Sequence, residues 1–521
     1  MKILIDQLMN QSGVKFGTSG ARGLAAEMND LVCFAYTLGF LQYLVREKVP
    51  VSASNRVMVA YDLRESSPRI ARAVRKAINH FGFQPVDCQT IPTPVVALYG
   101  MSEHVPAIMV TGSHIPENRN GIKFYLPTGE ILKKDETGIK QQTVEIPDEL
   151  FDSNGSLKPT ECEFSSETDH NNAKQYYLDR FLRAFPVDFL AGFRIGLYEH
   201  SAVGRDLLYE LYTALGATVT RLGRSETFVA VDTEAVRDED QCLARTWATG
   251  QATGQKNRHS DNPPFDAILS TDGDSDRPLL FDEHGEWIRG DIAGILTSRF
   301  LLADCVVTPL TSNTALERSG WFKKIVRTKI GSPYVIEAMQ EAVSHGYQRV
   351  VGYEANGGFL TANSMLFDEE ESQYPLLALP TRDPAIVHIA VLRHAKDVGV
   401  PLSEMIHYLP RRIVMSDRLQ NFPTELAQRK IEELVSGGDE MVQLIFAAFG
   451  ELQTIDHTDG IRMTFGDQDI VHLRYSGNAP ELRCYTEADT KERATSLLYR
   501  TMTILDTWRR RSQNDSYPYQ H

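Results

Sequence analysis

Ser113 is the first residue whose type and position suggest chemistry. It lies in the stretch Thr111-Gly112-Ser113-His114, directly after an apolar run at 106–110 that predicts a buried strand. A serine on a turn at the carboxyl end of a strand lies where open α/β sheets bind ligands. An ordinary solvated turn would show the same local pattern. Whether Ser113 is functional therefore has to be judged from the other polar loops of the chain.

Three aspartates at alternate positions form a second candidate site. Asp272, Asp274 and Asp276 follow an apolar strand at 265–270, and in an extended segment they would share one face. Like charges this close repel unless a cation neutralises them, and oxygen ligands favour Mg²⁺ or Ca²⁺. The glycine of an EF-hand loop is absent, since Arg277 stands at its position. The pattern therefore predicts a hard-cation site of another kind.

Two pairs of polar residues suit a phosphorylated sugar. Glu354 and Asn356 follow a strand at 349–353, and a carboxylate with an amide is typical of binding to sugar hydroxyls. Arg474 and Arg483 flank the turn Ser476-Gly477-Asn478, and this combination suits a phosphate clamp. Taken alone, the Glu354 loop would be favoured as an ordinary glycine-rich turn, whereas the turn between Arg474 and Arg483 favours a phosphate clamp over a structural arginine pair.

Two further cations are candidates for binding an anion. Arg22 lies between small-residue turns that could offer backbone amides beside its guanidinium group. Lys329 immediately precedes a predicted helix start, Ile330-Gly331-Ser332-Pro333, where a helix N-terminus could also face an anion. Glycine-rich turns and helix starts are both common in proteins. Arg22 and Lys329 are therefore candidates only in combination with the other loops.

Composition limits the class of protein. The chain has 521 residues, enough for three or four domains, and its formal net charge of −15 argues against nucleic acid or an anionic membrane as partner. The six cysteines include no CxxC pair, so we expect reduced thiols in a cytoplasmic protein rather than disulfides or zinc. The apolar run 31–45 is too short to span a membrane and predicts an amphipathic core helix.

Strand-loop-helix units begin near residues 57, 194 and 305, which indicates three related α/β domains. Two polar, patternless stretches interrupt this order. Residues 141–172 are predicted to be a linker or surface excursion, and residues 248–264 a mobile loop.

The order of the loops resembles the α-D-phosphohexomutase family, and the resemblance covers nearly the whole chain. The loops that carry it are Gly17-Thr18-Ser19-Gly20-Ala21-Arg22-Gly23, Thr111-Gly112-Ser113-His114, Asp272-Gly273-Asp274-Ser275-Asp276-Arg277, Gly352-Tyr353-Glu354-Ala355-Asn356-Gly357-Gly358 and Arg474-Tyr475-Ser476-Gly477. The resemblance implies three related α/β domains with mixed sheets and a smaller C-terminal α+β domain around a central cleft. We place the domains at 1–165 (serine loop), 166–288 (metal loop), 289–408 (sugar loop) and 409–521 (distal phosphate loop).

The resemblance also implies a role for each site residue. Ser113 would be a phosphoserine, and its phosphate would join Asp272, Asp274 and Asp276 in binding Mg²⁺. Arg22, Lys123 and Arg277 match basic residues around the transferring phosphoryl group, and Lys123 or His114 would move the hydroxyl proton. The remaining residues would bind substrate: Lys329, Glu354, Asn356, Arg474, Ser476, Gly477, Asn478 and Arg483.

The activity that the resemblance implies is interconversion of hexose 1-phosphate and hexose 6-phosphate through a hexose 1,6-bisphosphate, in a monomer or small homo-oligomer. The Thr-Gly-Ser-His form of the serine loop and the stretch 231–234 favour phosphomannomutase. Ile115, Asn356 and Ser332 depart from the family pattern, so phosphoglucomutase and phosphoglucosamine mutase remain alternatives. Less favoured alternatives are a phosphatase, a bisphosphate synthase and a non-catalytic sugar-phosphate-binding protein.

Overall fold

The computed structural model describes residues 1–17, 20–50, 52, 54–162, 166–250, 264–367, 374–476 and 480–515. It divides into two compact units, which we describe separately. The first comprises residues 1–307 and 331–406, and the second comprises residues 308–330 and the chain from 407 onward. The predicted loop at 248–264 lies largely outside the described residues.

The first sheet of the first unit carries the serine loop. The elements of this region are β1 (Lys2–Leu4), α1 (Ile5–Ser12), β2 (Lys15–Phe16), β3 (Ala21–Leu24), α2 (Asp30–Arg46), β4 (Arg56–Tyr61), α3 (Ser67–His80), β5 (Gln84–Gln89), α4 (Thr93–Ser102), β6 (Ala107–Val110), β7 (Arg119–Leu126), β8 (Gly129–Glu130), α5 (Lys133–Lys140), β9 (Thr143–Glu145) and β10 (Glu167–Thr168), of which β1 and β9 form a separate two-stranded sheet. The strand order is β10-β5-β4-β6-β7-β3-β2. The central strands β5, β4 and β6 run parallel, and β7 and β3 run antiparallel to their neighbours. The predicted core helix at 31–45 is α2, but the prediction that it is amphipathic is wrong, because it is buried on nearly every side.

The stretch 141–172, predicted to be a linker or a surface excursion, instead contains paired strands and buried apolar residues. Strand β9 pairs with β1, and β10 extends the first sheet by pairing with β5. Ile146, Phe151 and Leu157 are buried in the core of this sheet. These apolar residues are spaced irregularly along the chain, so neither a helical nor a strand period reveals them.

The second sheet carries the aspartate loop. Its elements are α6 (His170–Leu182), β11 (Arg194–His200), α7 (Arg205–Ala214), β12 (Thr218–Arg224), α8 (Asp238–Ala248), β13 (Ala267–Thr271), β14 (Pro278–Phe281) and β15 (Trp287–Ile288). The strand order is β12-β11-β13-β14-β15, with β12, β11 and β13 parallel. The loop at 272–277 joins β13 to the antiparallel β14.

The third α/β region follows the same plan. Its elements in the first unit are α9 (Gly290–Phe300), β16 (Cys305–Pro309), α11 (Ser332–Ser344), β18 (Val350–Tyr353), β19 (Phe359–Thr361), α12 (Pro384–Val398) and α13 (Leu402–Met405), whereas α10 (Ala315–Arg318) and β17 (Lys324–Thr328) belong to the second unit. Strand β18 runs parallel to β16 and antiparallel to β19. The loop at 354–358 therefore follows the carboxyl end of β18, as the Ser113 and Asp272 loops follow β6 and β13.

An antiparallel sheet with helices forms most of the second unit. Its elements are β20 (Ile413–Gln420), α14 (Thr424–Ile445), β21 (Leu452–Asp456), β22 (Ile461–Phe465), β23 (Ile470–Tyr475), β24 (Glu481–Ala488) and α15 (Lys491–Asp515), in the strand order β20-β24-β23-β22-β21. The predicted fold class, three mixed α/β sheets and an α+β region, is confirmed. Among the described residues, no helix combines the length and apolar character needed to cross a membrane.

Candidate active site

Ser113 occupies a strained turn at the carboxyl end of β6. Its φ of 56° lies in the left-handed region, which is uncommon for a residue other than glycine and often marks a functional turn. Its N–H donates to Thr111 Oγ1 at 2.7 Å, and its hydroxyl donates to Asp272 Oδ2 at 2.6 Å. The turn thus directs a buried hydroxyl onto the aspartate loop.

Arg64 holds the serine loop in this conformation, and the sequence reasoning missed it. Its side chain is fully buried and ion-paired with Asp62 at 3.2 Å. It donates to a set of main-chain carbonyls in the loop, those of Ser113 (2.9 Å), Ile115 (2.6 Å), Pro116 (2.7 Å) and Arg119 (3.1 Å). The available signal was Asp62-Leu63-Arg64, which follows β4 as the serine loop follows its neighbour β6.

The three aspartates converge through a turn, so the predicted extended segment is wrong. Ser275 has a φ of 53°, and its N–H donates to the Asp272 carbonyl at 3.1 Å. Asp272 Oδ1 accepts from the N–H groups of Asp276 and Arg277 at 3.1 Å each. One ligand oxygen from each of the three aspartates lies within 4.8 Å of the others. Backbone donors in the turn favour this tight geometry over an open strand.

The aspartate cluster fits a divalent cation. All three side chains are fully buried, and Asp274 Oδ1 and Asp276 Oδ1 accept no hydrogen bond from the residues that the structure describes. Buried carboxylate oxygens without a partner are costly unless they ligate a cation. Burial and the charges of Asp274 and Asp276 raise the pKa of Asp272 well above its usual range. A set of oxygen ligands of this kind suits Mg²⁺.

Lys123 partly neutralises the negative charge of the aspartate cluster. Its ammonium group is buried and donates to Asp274 Oδ2 and Asp276 Oδ2 at 2.6 Å each. Burial by itself would lower the pKa of Lys123, but the two aspartates raise it. The predicted base or acid is therefore held as a cation beside two of the predicted metal ligands.

His114, Arg277 and Arg22 complete the surroundings of Ser113. Arg277 Nη1 lies 3.0 Å from His114 Nδ1, and since an arginine only donates, this nitrogen accepts and the ring proton lies on Nε2. Burial and the nearby Arg277 and Arg22 lower the pKa of His114 well below its usual value. Burial and Arg277 also lower the pKa of Arg22 to about 10, which leaves it charged at neutral pH.

The predicted sugar loop meets the same cluster. Glu354 Oε2 accepts from Arg382 Nε at 2.6 Å, and Arg382 Nη1 reaches Asp276 Oδ2 at 3.3 Å. Asn356 uses its side-chain oxygen to close its own turn, because Oδ1 accepts from Gly358 N–H at 2.9 Å. The structure thus brings Glu354 to the aspartate loop through Arg382, a residue that no sequence motif indicated.

The predicted distal phosphate residues belong to the second unit. Arg474 on β23 faces Arg483 on β24 in the strand register and lies 3.2 Å from Asp459. Lys329 is exposed, and the next residue donates its N–H to Asp459 Oδ2 at 3.0 Å. Ser476 N–H donates to the Glu481 carbonyl at 3.0 Å, whereas Gly477 and Asn478 lie outside the described residues. Asp459 therefore contacts both Arg474 and the main chain of the residue that follows Lys329.

Family models match three segments of the chain. The model for phosphoglucomutase/phosphomannomutase alpha/beta/alpha domain I matches residues 13–149, that for alpha/beta/alpha domain III matches residues 289–413, and that for the C-terminal domain matches residues 426–503. Among solved structures, a phosphoglucomutase/phosphomannomutase family protein from Burkholderia thailandensis superposes with a TM-score of 0.67 at 17% identity, covering 94% of this chain and 96% of the other. The N-acetylphosphoglucosamine mutase of Aspergillus fumigatus, solved with GlcNAc-6P and magnesium, gives a TM-score of 0.56 at 15% identity, covering 97% and 99% of the chains.

Curated relatives are similar over nearly the full length. The phosphomannomutase of Salmonella muenchen is 41% identical over 94% of this chain and 95% of its own. That of Sinorhizobium fredii is 40% identical over 95% of this chain and 99% of its own. A phosphoglucosamine mutase of Sorangium cellulosum is 25% identical, over 91% of this chain and 89% of its own. Similarity of this extent, on this fold, shows that the chain is an enzyme of the α-D-phosphohexomutase family.

Proposed function

We propose that this enzyme is a phosphomannomutase, which interconverts mannose 1-phosphate and mannose 6-phosphate. The observation that carries the phosphotransfer assignment is the buried Ser113 hydroxyl, 2.6 Å from Asp272 in a cluster of three aspartates. Mannose is favoured because the two relatives near 40% identity are phosphomannomutases, whereas the phosphoglucosamine mutase is far more distant.

In the proposed reaction, Ser113 carries a phosphoryl group between the two ends of the sugar. The bond from phosphorus to Ser113 Oγ breaks as a bond forms to the free sugar hydroxyl, which gives a hexose 1,6-bisphosphate. The sugar hydroxyl loses a proton and Ser113 Oγ gains one, and Lys123 and His114 are the candidates for this transfer: Lys123, held as a cation, can only donate the proton that Ser113 Oγ takes up, whereas the neutral ring of His114 can accept the proton of the hydroxyl. After the bisphosphate turns end for end, its other phosphate returns to Ser113, so atoms and charge balance over the cycle.

The surrounding residues bind and orient the phosphoryl group, since phosphoryl transfer depends mainly on alignment and charge neutralisation. Asp272, Asp274 and Asp276 would hold Mg²⁺. When bound, the ion would neutralise charge on the transferring group. Arg22 and Arg277 would supply further positive charge from this chain. Arg64 would keep the serine loop in place through its bonds to the loop carbonyls.

Substrate contacts follow from the other loops. Glu354 would accept hydrogen bonds from sugar hydroxyls, with Asn356 beside it and Lys329 as a further cation. Arg474, Ser476, Gly477, Asn478 and Arg483 would bind the phosphate that is not being transferred. We retain the four predicted domains at 1–165, 166–288, 289–408 and 409–521, which the positions of the matched family segments support. We also propose a cytoplasmic location, in keeping with six cysteines that are scattered along the sequence without a CxxC pair.

A coupled assay tests the function. The purified chain, primed with hexose 1,6-bisphosphate and Mg²⁺, should isomerise mannose 1-phosphate with a higher kcat/KM than glucose 1-phosphate or glucosamine 1-phosphate. Preference for glucose or glucosamine phosphate would reassign the sugar. Release of inorganic phosphate without isomerised product would identify a phosphatase instead.

A further inference from the structure

Arg382 is a buried arginine that joins two loops of the first unit. Only 1% of the residue is exposed, and it lies just before α12. Its Nε donates to Glu354 Oε2 at 2.6 Å, its Nη1 lies 3.3 Å from Asp276 Oδ2, and its Nη2 donates to Ser332 Oγ at 2.9 Å. One guanidinium group therefore contacts both the aspartate loop after β13 and the Glu354 loop after β18.

The packing around this guanidinium leaves little freedom. A Cβ atom at Gly358 would lie 2.5 Å from Arg382 Cδ, so the glycine makes room for the arginine stem. Ser332 Oγ, which accepts from Arg382, donates in turn to Glu130 Oε1 at 2.8 Å. Glu130 Oε1 also lies 3.8 Å from Arg382 Nη1. The orientation of Arg382 is thus set by several partners at once.

Glu354 depends on this arginine for its own orientation. Its Oε2 accepts from Arg382 Nε at 2.6 Å, and 6% of its side chain is exposed. A carboxylate held by one oxygen presents the other in a fixed direction, which suits a sugar hydroxyl. On the aspartate side, the same cation lies beside Asp276 and opposes the binding of another cation there.

We propose that Arg382 is a positioning residue that couples sugar recognition to the metal loop. This inference rests on the proposed function. Arg382 strengthens sugar-phosphate binding by orienting Glu354, and it weakens cation binding by its charge beside Asp276. Loss of the arginine should therefore move the two affinities in opposite directions, which a purely structural role would not do.

Calorimetry on the full chain tests this proposal with two titrants, Mg²⁺ alone and mannose 1-phosphate at saturating Mg²⁺. Arg382→Gln should weaken mannose 1-phosphate binding about tenfold or more, because a charge-assisted hydrogen bond to Glu354 is lost. It should tighten Mg²⁺ binding about threefold or more, because a positive charge near Asp276 is removed. Both readouts are independent of turnover.

Arg382→Lys covers the case in which Arg382→Gln does not fold. It keeps the charge but cannot bond Glu354, Asp276 and Ser332 together, so sugar-phosphate binding should weaken while Mg²⁺ affinity stays within about twofold. Adding Glu354→Gln to either variant should cost little further sugar affinity if Arg382 acts through Glu354.

Arg349→Gln is the matched control. Arg349 precedes β18 at the end opposite Glu354 and donates to the carbonyls of Leu301 and Leu366. It should lower the unfolding temperature and leave both affinities unchanged. The proposed coupling would be overturned if the Arg382 variants lowered the affinities for Mg²⁺ and mannose 1-phosphate equally, or if they changed neither affinity. If the wild-type chain bound and isomerised no hexose phosphate, the proposed function would fail, and the Mg²⁺ titration would still test the charge of Arg382.

Discussion

At the scale of single residues, the site depends on groups whose charges are unusual for buried positions. Ser113 and the three aspartates are fully buried, and Lys123 is almost so. Buried charges are stable only when paired or bound to a cation. The ammonium group of Lys123 pairs with one oxygen of Asp274 and one of Asp276. Among the described residues, Asp274 Oδ1 accepts no hydrogen bond, and Asp276 Oδ1 lies 3.7 Å from Arg277 Nε. Ion pairing with Lys123 therefore allows the acidic cluster to be buried beside Ser113.

Ser113→Ala should abolish the covalent relay. We expect kcat to fall by on the order of 10³ or more, because no other group replaces the serine oxygen. Intact-mass analysis should show partial phosphorylation of the wild-type protein at this residue and none in the variant. Ser298→Ala is the control, since Ser298 is equally buried but only donates to the Gly294 carbonyl within α9. An active Ser113→Ala enzyme, or phosphate on another residue, would refute the assignment.

Asp274→Asn should weaken Mg²⁺ binding and activity together, by about tenfold or more, because an anionic ligand becomes neutral while the shape is kept. Calorimetric titration with Mg²⁺ and the coupled assay measure the two effects. Asp240→Asn changes another buried aspartate, which pairs with Arg237 at 2.7 Å, and should leave Mg²⁺ affinity unchanged. Full activity of Asp274→Asn in the presence of a chelator would rule out a metal role for the cluster.

At the scale of secondary-structure elements, loops after adjacent parallel strands build the site. Tyr61 at the end of β4 pairs with Val110 at the end of β6, so the Asp62 and Thr111 loops lie side by side. Arg64 and Thr111 both bond Asp62 there. The sheet therefore supplies a rigid edge, and the Asp62-Arg64 pair ties the serine loop to it.

Arg64→Gln should destabilise the loop and the protein. It leaves the carboxylate of Asp62 unpaired and several loop carbonyls without their donor, a change that costs roughly 3–5 kcal/mol for buried ion pairs. Urea unfolding should report the loss of stability, and the coupled assay a lower kcat. Arg69→Gln changes an arginine in the first turn of α3, the helix that follows Arg64. Because 34% of the Arg69 side chain is exposed, this variant should lose much less stability. Equal costs for the two variants would mean that Arg64 has no special role in the loop.

At the scale of the whole molecule, the net charge of −15 contrasts with the cations gathered at the functional loops. Arg22, Lys123, Arg277 and Arg382 surround the acidic cluster in the first unit, and Arg474 and Arg483 face each other in the second. Local positive sites on an acidic protein favour a small phosphorylated substrate over an extended polyanion. This distribution agrees with an enzyme of hexose phosphates.

Arg474→Ala should weaken binding of both mannose 1-phosphate and mannose 6-phosphate, because the same clamp must hold either end of the sugar. Each lost charge-assisted hydrogen bond to phosphate is worth roughly 1.5–3 kcal/mol, about ten- to a hundredfold in affinity. Michaelis constants measured in both directions check this. Arg429→Ala, an arginine 63% exposed on α14, is the control and should change neither constant. A defect in one direction only would contradict the shared clamp.

The sequence alone determined the family, the fold class and most of the loops that carry chemistry. Ser113, Asp272 and Glu354 each follow a short apolar strand, and this local order is readable because strand, turn and functional residue are contiguous. The tertiary structure decided how they meet. The aspartates converge through a turn at Ser275, the stretch 141–172 packs into the first core, and Arg64 and Arg382 hold loops that are distant in sequence. An isolated arginine has no motif of its own, because its role depends on partners that only folding brings within hydrogen-bonding distance.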